Sequence, residues 1–345
     1  NSKETEFLPF KKYYDKKKIS VTDMRFYGNN LILEFNKFLG NDDGYNILVN
    51  YDLKTDKWIN LNKKIQKKER FFMPTTYAHY KFGKEVLSAL PRPLQNSIEA
   101  HRELFDIGLH GPDILFYYNA LKKDPVNEQG HTLHEQFADE FFHHAVEVIE
   151  KAKDPAAARA YIYGFICHFA LDSECHPYVE KIMQVGRVSH NEIEMELDRM
   201  MLTEDYHDPL RYLTAKHIHP KMEYAEVIAP FFKDVTAEQI YKALKGMVFY
   251  HKLFLAPTSG KRKALFLGMK AVGKYDSLHD IVMSVKPDPL CQKYCKVLKR
   301  QYSGAVPLAA SLIVQYQKKL FQDTPLPERF HETFGAGEEW EKLRL

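Results

Sequence analysis

Cysteine is scarce in this chain of 345 residues, where Cys167, Cys175, Cys291 and Cys295 are the only four. They have none of the spacing of a secreted disulfide scaffold, and Cys291 and Cys295 stand at helical spacing, so reduced, buried thiols in a cytoplasmic setting are expected. A secreted setting would need a leader that has been removed, because the first residues are polar and lysine-rich with no apolar stretch. No run of about 18 apolar residues occurs, which excludes a membrane-spanning helix. Charge of one sign is also lacking. A net charge of +3 is too small to argue for a stable nucleic-acid partner, and the densest lysine runs, residues 11–18 and 63–68, read as solvated surface or linker. The chain has no recognisable membrane-docking module and no basic stripe interleaved with aromatics.

What is present is an ordinary globular composition, 45% hydrophobic and 28% charged, with room for a sizeable core. Up to about residue 62, short apolar–polar alternations are broken by turn residues such as Gly28-Asn29-Asn30 and Asn41-Asp42-Asp43-Gly44, the punctuation of hairpins. Residues 51–58 look like part of one propeller blade, and residues 60–70 read as a lysine-rich linker. From Met73 the pattern changes to apolar residues at three and four spacing, over 77–90, 93–109, 132–153, 155–176, 191–202, 237–254 and 294–320. The expected architecture is mainly α, with a small β-rich segment over residues 1–72 and an all-α domain over residues 73–345. Asp154-Pro155 and Thr236-Ala237-Glu238-Gln239 mark two helix starts.

Histidine carries the functional signal. Twelve of the sixteen histidines fall between His101 and His219, and histidine clustered with Asp and Glu is the composition of a metal site. The densest stretch is residues 164–177. There His168 and Asp172 share one helix face at i and i+4, and His176 at i+8 stays within about 80° of His168. The surrounding Tyr161, Phe165, Phe169, Ala170 and Leu171 bury that helix, so its polar residues need partners. Either a divalent metal or a hydrogen-bonded His–Asp pair would satisfy them. Further metal-capable residues sit at helix starts and turns: His79, Asp113 after Gly111-Pro112, His131 and His134, and His190-x3-Glu194.

Taken in order, His79, Asp113, His131, His168-x3-Asp172, His176 and His190-x3-Glu194 resemble the zinc-dependent phospholipase C family, which is related to bacterial phospholipases C and the single-strand-specific zinc nucleases. The resemblance runs from Met73 to about residue 202 by motif. It implies an all-α enzyme holding two or three zinc ions: Asp113, His131, His168 and Asp172 for one, His176, His190 and Glu194 for a second, and His79 with a bridging Asp172 for a third. In secreted members an N-terminal Trp completes the third position, and this chain has no Trp near His79. The interval from Asp113 to His131 is longer than the family pattern, which leaves His134 as an alternative ligand. Asp113 is expected to act as ligand and general base in hydrolysis of a phosphodiester, first of all a phospholipid cut to diacylglycerol and a phosphorylated headgroup. A nuclease or small phosphodiesterase with the same metals, and a non-catalytic metal-binding helical domain, are the alternatives. The oligomeric state is not legible.

Overall fold

The computed structural model describes residues 19–27, 30–38, 44–52 and 57–60 by their backbone, and residues 75–345 in full except 187, 323 and 338. The chain divides into two compact units, Asn1–Arg70 and Phe71–Leu345. In the first, β1 (Ile19–Tyr27), β2 (Asn30–Phe38), β3 (Gly44–Asp52) and β4 (Lys57–Asn60) pair in chain order as an antiparallel sheet. Its register runs Phe26 to Leu31 and Leu33 to Val49, with an irregularity between Val21 and Asp23. The expected linker lies, from residue 61 on, outside the described residues, as do residues 53–56 of the blade-like stretch.

The second unit is helical. Its elements are α1 (Thr76–Ala89), α2 (Arg92–Glu99), α3 (Arg102–Gly108), α4 (Pro125–Glu135), α5 (Ala138–Lys151), α6 (Pro155–Gly186), α7 (His190–Glu204), α8 (Met222–Ile228), α9 (Ala237–Phe254), α10 (Ser259–Ala271), α11 (Tyr275–Leu278) and α12 (Pro289–Gln322). A 3₁₀ segment, Gly111–Tyr117, links α3 to α4. None of the helices among the described residues is long and apolar enough to cross a membrane.

Helix α6 is the axis of this unit. From Ala157 to Ser173 nearly every residue is buried, so it behaves as a central rod rather than an amphipathic surface helix. It starts where Asp154 Oδ1 accepts hydrogen bonds from the Ala156 and Ala157 amides, both 3.0 Å away, with Pro155 in the first turn. It does not end at His176. Pro177 sits inside the helix and removes one backbone donor, yet burial of Val179 and Ile182 beyond it outweighs that loss and carries the helix to Gly186.

Two expected helices are each split. The span 93–109 breaks at His101, with φ of −128°, and α3 then runs against α6. The span 132–153 breaks at Gln136 and Phe137, where the chain becomes extended so that the Ala138 amide donates to the Glu332 carbonyl at 2.9 Å and Phe137 bridges Thr333.

Helices α3 and α6 cross backbone to backbone. A Cβ added at Gly108 would lie 2.1 Å from the Tyr161 carbonyl oxygen, and one added at Gly164 would lie 2.1 Å from that of Phe105. Backbone cannot yield as a side-chain tip can, so Gly164→Ala is expected to push the helices apart and destabilise the domain by about 1–3 kcal/mol. Chemical denaturation of the variant checks this, and an unchanged midpoint would mean the crossing is looser than described.

Candidate metal centre

Two groups of metal-capable side chains converge along α6. The first takes Asp113 from the 3₁₀ segment, His134 from α4, and His168 and Asp172 from α6, with one ligand atom of each inside 4.8 Å of the others. His134 Nε2 is 3.2 Å from Asp113 Oδ1 and 3.7 Å from Asp172 Oδ2, and His168 Nε2 is 3.1 Å from Asp172 Oδ2 and 3.9 Å from Asp113 Oδ2. The second group joins His176 of α6 to His190 and Glu194 of α7. Glu194 Oε1 lies 2.8 Å from His190 Nε2 and 3.7 Å from His176 Nε2.

Asp172 is the hub. Its Oδ1 is 3.1 Å from His79 Nε2, while its Oδ2 faces His168, His134 and, at 3.8 Å, His176 Nδ1. Burial raises the cost of its charge, but His168, His176 and His79 outweigh that and hold the carboxyl well below its usual range. The same attraction acts in reverse. Burial opposes the imidazolium of His134, yet Asp113 and Asp172 lift its pKa to about 10, and Asp172 with Glu194 lift His176 to about 9. Glu194, which burial alone would push up, is held at about 2 by His190 and His176.

Local structure aims these side chains. Ser189 caps α7 with a reciprocal box: its hydroxyl accepts from the Glu192 amide and its own amide donates to the Glu192 carboxylate. That start places His190 and Glu194 one turn apart on one face. Helix α1 has no side-chain cap of its own. Asp198 of α7 supplies it from outside, accepting hydrogen bonds from the Tyr77 amide at 3.0 Å and the Ala78 amide at 2.8 Å, which fixes the turn that carries His79. Burial raises the Asp198 pKa to about 7, against the pull of those two amides. Gly111 has φ of +48°, and a Cβ there would strike the His168 ring at 2.1 Å, so only glycine admits the turn that presents Asp113 to His168.

Ring orientation is set by carbonyls. His134 Nδ1–H donates to the Gly130 carbonyl at 2.7 Å and His176 Nδ1–H to the Phe334 carbonyl at 2.7 Å, leaving both Nε2 atoms facing the carboxylates. Phe334 is fully buried against His134, His168 and Phe165, and the Gly335 amide donates to the His134 carbonyl. The C-terminal segment therefore braces the centre from about 160 positions away in sequence.

The geometry brings His134 rather than His131, the two alternatives left by the sequence, into the first group. His131 is half-buried with its ring 4.5 Å from that of Phe116 and stands outside both groups, and His134 occupies the place expected for it. The cause lies one residue earlier: Gly130 abuts Phe116 and the Pro112 carbonyl, so the face of α4 turned to the 3₁₀ segment carries Gly130 and, one turn on, His134. His79 meets Asp172 but belongs to no group of three or more among the described residues.

Other histidines of the rich interval are spent elsewhere. His110 and His217 Nε2 atoms lie 2.8 Å apart; burial, with the charge of His217, pushes His110 well down, and burial, with the charge of His251, pushes His217 to about 3. His251, held neutral by burial with a pKa of about 3, bonds to the Tyr117 hydroxyl, Thr76 and Thr214, tying the 3₁₀ segment and α1 to α9.

The centre has the marks of a cation site. His79 Nδ1, Asp113 Oδ2, both ring nitrogens of His168 and Glu194 Oε2 are buried without a well-directed hydrogen bond among the described residues. His168 Nε2, although 3.1 Å from Asp172, lies off the line a hydrogen bond needs. The donors are all imidazole nitrogen and carboxylate oxygen, a set that suits zinc. Cys175, next to His176 in sequence, is buried outside both groups, and burial raises its thiol pKa. Three imidazoles reach the surface, with side-chain exposures of 17% for His134, 13% for His176 and 15% for His190, while Asp113 and His168 lie deep, so the centre opens on the histidine side.

Residues 78–247 match the family model described as zinc dependent phospholipase C. No curated protein and no solved structure matches the chain.

Proposed function

We propose, from the match of residues 78–247 to the zinc-dependent phospholipase C family model, that the chain is a zinc-dependent phosphodiester hydrolase of phospholipase C type, releasing diacylglycerol and a phosphorylated headgroup. The observation that carries the reading is Asp172, a fully enclosed carboxylate whose two oxygens face imidazoles from α1, α4 and α6. Asp113, His134, His168 and Asp172 would hold one zinc, His176, His190 and Glu194 a second, and His79 with Asp172 a third. Zinc bound there supplies Lewis-acid chemistry, polarising a phosphoryl oxygen and acidifying water.

The chain's own residues do the rest. Asp113, set deep on a rigid Gly111-Pro112 turn, takes the proton of the attacking water. The carbonyls of Gly130 and Phe334 hold His134 and His176 in one tautomer, and the exposed edges of His134, His176 and His190 admit the phosphodiester.

The test is hydrolysis of a panel of phospholipids, single-stranded DNA and small phosphodiesters by the zinc-loaded protein, with and without a chelator. Chelator-sensitive diacylglycerol release supports the proposal. Cleavage of DNA alone moves the reading to a nuclease, and no turnover by fully loaded protein makes the centre structural.

Zinc uptake is also expected to expel protons. His134 and His176 bind theirs up to about pH 10 and 9, so at pH 7 both are protonated in the metal-free protein and must lose a proton to become ligands. One from each gives about two protons per chain, read by calorimetry in buffers of different ionisation enthalpy. Zinc binding without proton release would exclude these two imidazoles as ligands.

A further inference from the structure

Between Glu238 and Asp276 the sequence holds eight lysines and arginines and not one carboxylate side chain. This stretch forms α9 and α10, and α10 is shallowly seated: of its 13 residues only Met269 is fully buried, with Leu265 and Phe266 partly buried against the core. A helix so placed normally shows solvent a charged face. Here Leu267 is 70% exposed and Val272, just past the helix end, is 69% exposed.

The arrangement on α10 is ordered. At about 100° per residue, Gly260, Ala264, Leu267 and Ala271 fall along the middle of the exposed face, Lys263 and Lys270 along one flank and Lys261 along the other. On α9, Lys242, Lys245, Phe249 and Lys252 lie within about 80° of one another, all exposed, with Phe249 58% exposed among the three lysines. Lys261 Nζ donates to the Lys252 carbonyl at 2.9 Å and to that of Leu255, which ties the start of α10 to the end of α9.

We propose that α10, with the lysine-flanked face of α9, is a docking surface for anionic phospholipid bilayers. Leu267, Val272 and Phe249 enter the boundary of headgroups and acyl chains, while Lys242, Lys245, Lys252, Lys263 and Lys270 lay their stems along it and keep their ammonium groups among the phosphates. The absence of any carboxylate over the whole stretch supplies charge complementarity to a negative leaflet. Nucleic acid fits less well, because the exposed centre of α10 is aliphatic and Phe249 of α9 is a lone exposed ring where successive bases would need several. The proposal stands apart from the phosphodiesterase reading, since docking is measured without turnover.

The experiment is co-sedimentation of the full chain with vesicles of phosphatidylcholine alone and of phosphatidylcholine doped with phosphatidylserine. Binding is expected to the doped vesicles, weakening steeply as salt rises from about 0.1 M to 0.5 M. Each lysine at such a surface is worth about fivefold in affinity, so a Lys263→Glu/Lys270→Glu variant is expected to lose about 25-fold or more. Leu267→Ser is expected to weaken binding at every salt concentration, because the apolar contribution is not screened. These positions lie outside the metal centre, and unchanged zinc content in the variants shows that the fold is intact. No binding by the wild type, or equal binding by wild type and lysine variant, overturns the proposal. So does binding of single-stranded RNA that the lysine variant loses while vesicles are ignored.

Discussion

Asp172→Asn is expected to remove at least one zinc equivalent and to abolish measurable hydrolysis while leaving helix content unchanged. Asparagine keeps the size of the side chain, so α6, buried by Phe165, Phe169 and Ala170 on its other sides, retains its packing. What it loses is the charge. His79, His134, His168 and His176 all face this one carboxylate, and an amide would present a weak oxygen on one side and a clashing N–H donor on the other. Loss of a metal's stabilisation of the transition state is worth several kcal/mol, on the order of 10³-fold in rate or more. Elemental analysis and circular dichroism of the variant check both halves. Full zinc occupancy would remove Asp172 from the ligand set.

The second large effect concerns Asp113. Its Oδ1 faces His134 Nε2 at 3.2 Å, and its Oδ2 is buried with no hydrogen-bond partner among the described residues, which leaves that oxygen for a proton or a cation. In Asp113→Asn the amide oxygen remains a weak ligand but no longer accepts a proton. Zinc content is therefore expected to stay near wild type and KM to change little, while kcat falls about 10²- to 10⁴-fold, the usual worth of a general base. A near-normal kcat would show that Asp113 is not the base, and Glu194 or Asp172 would take its place.

The line of His168, Asp172 and His176 was legible in the sequence because one helical period sets it, and the capped start of α7 fixed His190 and Glu194 in the same way. The choice between His131 and His134 was not. It depends on which face of α4 turns inward, and that is decided by Gly130 packing on Phe116, a contact between elements rather than a local preference. Asp198 reads in sequence as one more helix acid, and only the fold brings it to the amides of Tyr77 and Ala78. The Phe334 carbonyl that orients His176 leaves no sequence signal, because every residue has a carbonyl and only the tertiary path of the C-terminal segment selects this one. The breaks at His101 and Gln136 were hidden for the same reason, since apolar spacing runs through both and tertiary pairing interrupts it. The carboxylate-free stretch after Glu238 is visible in sequence, but only the fold shows that α10 fully buries Met269 alone and leaves Leu267 exposed.

The two groups along α6 are proposed zinc sites. Anomalous diffraction recorded on both sides of the zinc absorption edge, from crystals of the protein as purified, tests that proposal most directly. Density is expected among Asp113, His134, His168 and Asp172, and again among His176, His190 and Glu194, with nitrogen and oxygen donors at about 2.0–2.2 Å. Zinc density that is absent from both groups, or that sits on the cysteines, would contradict it.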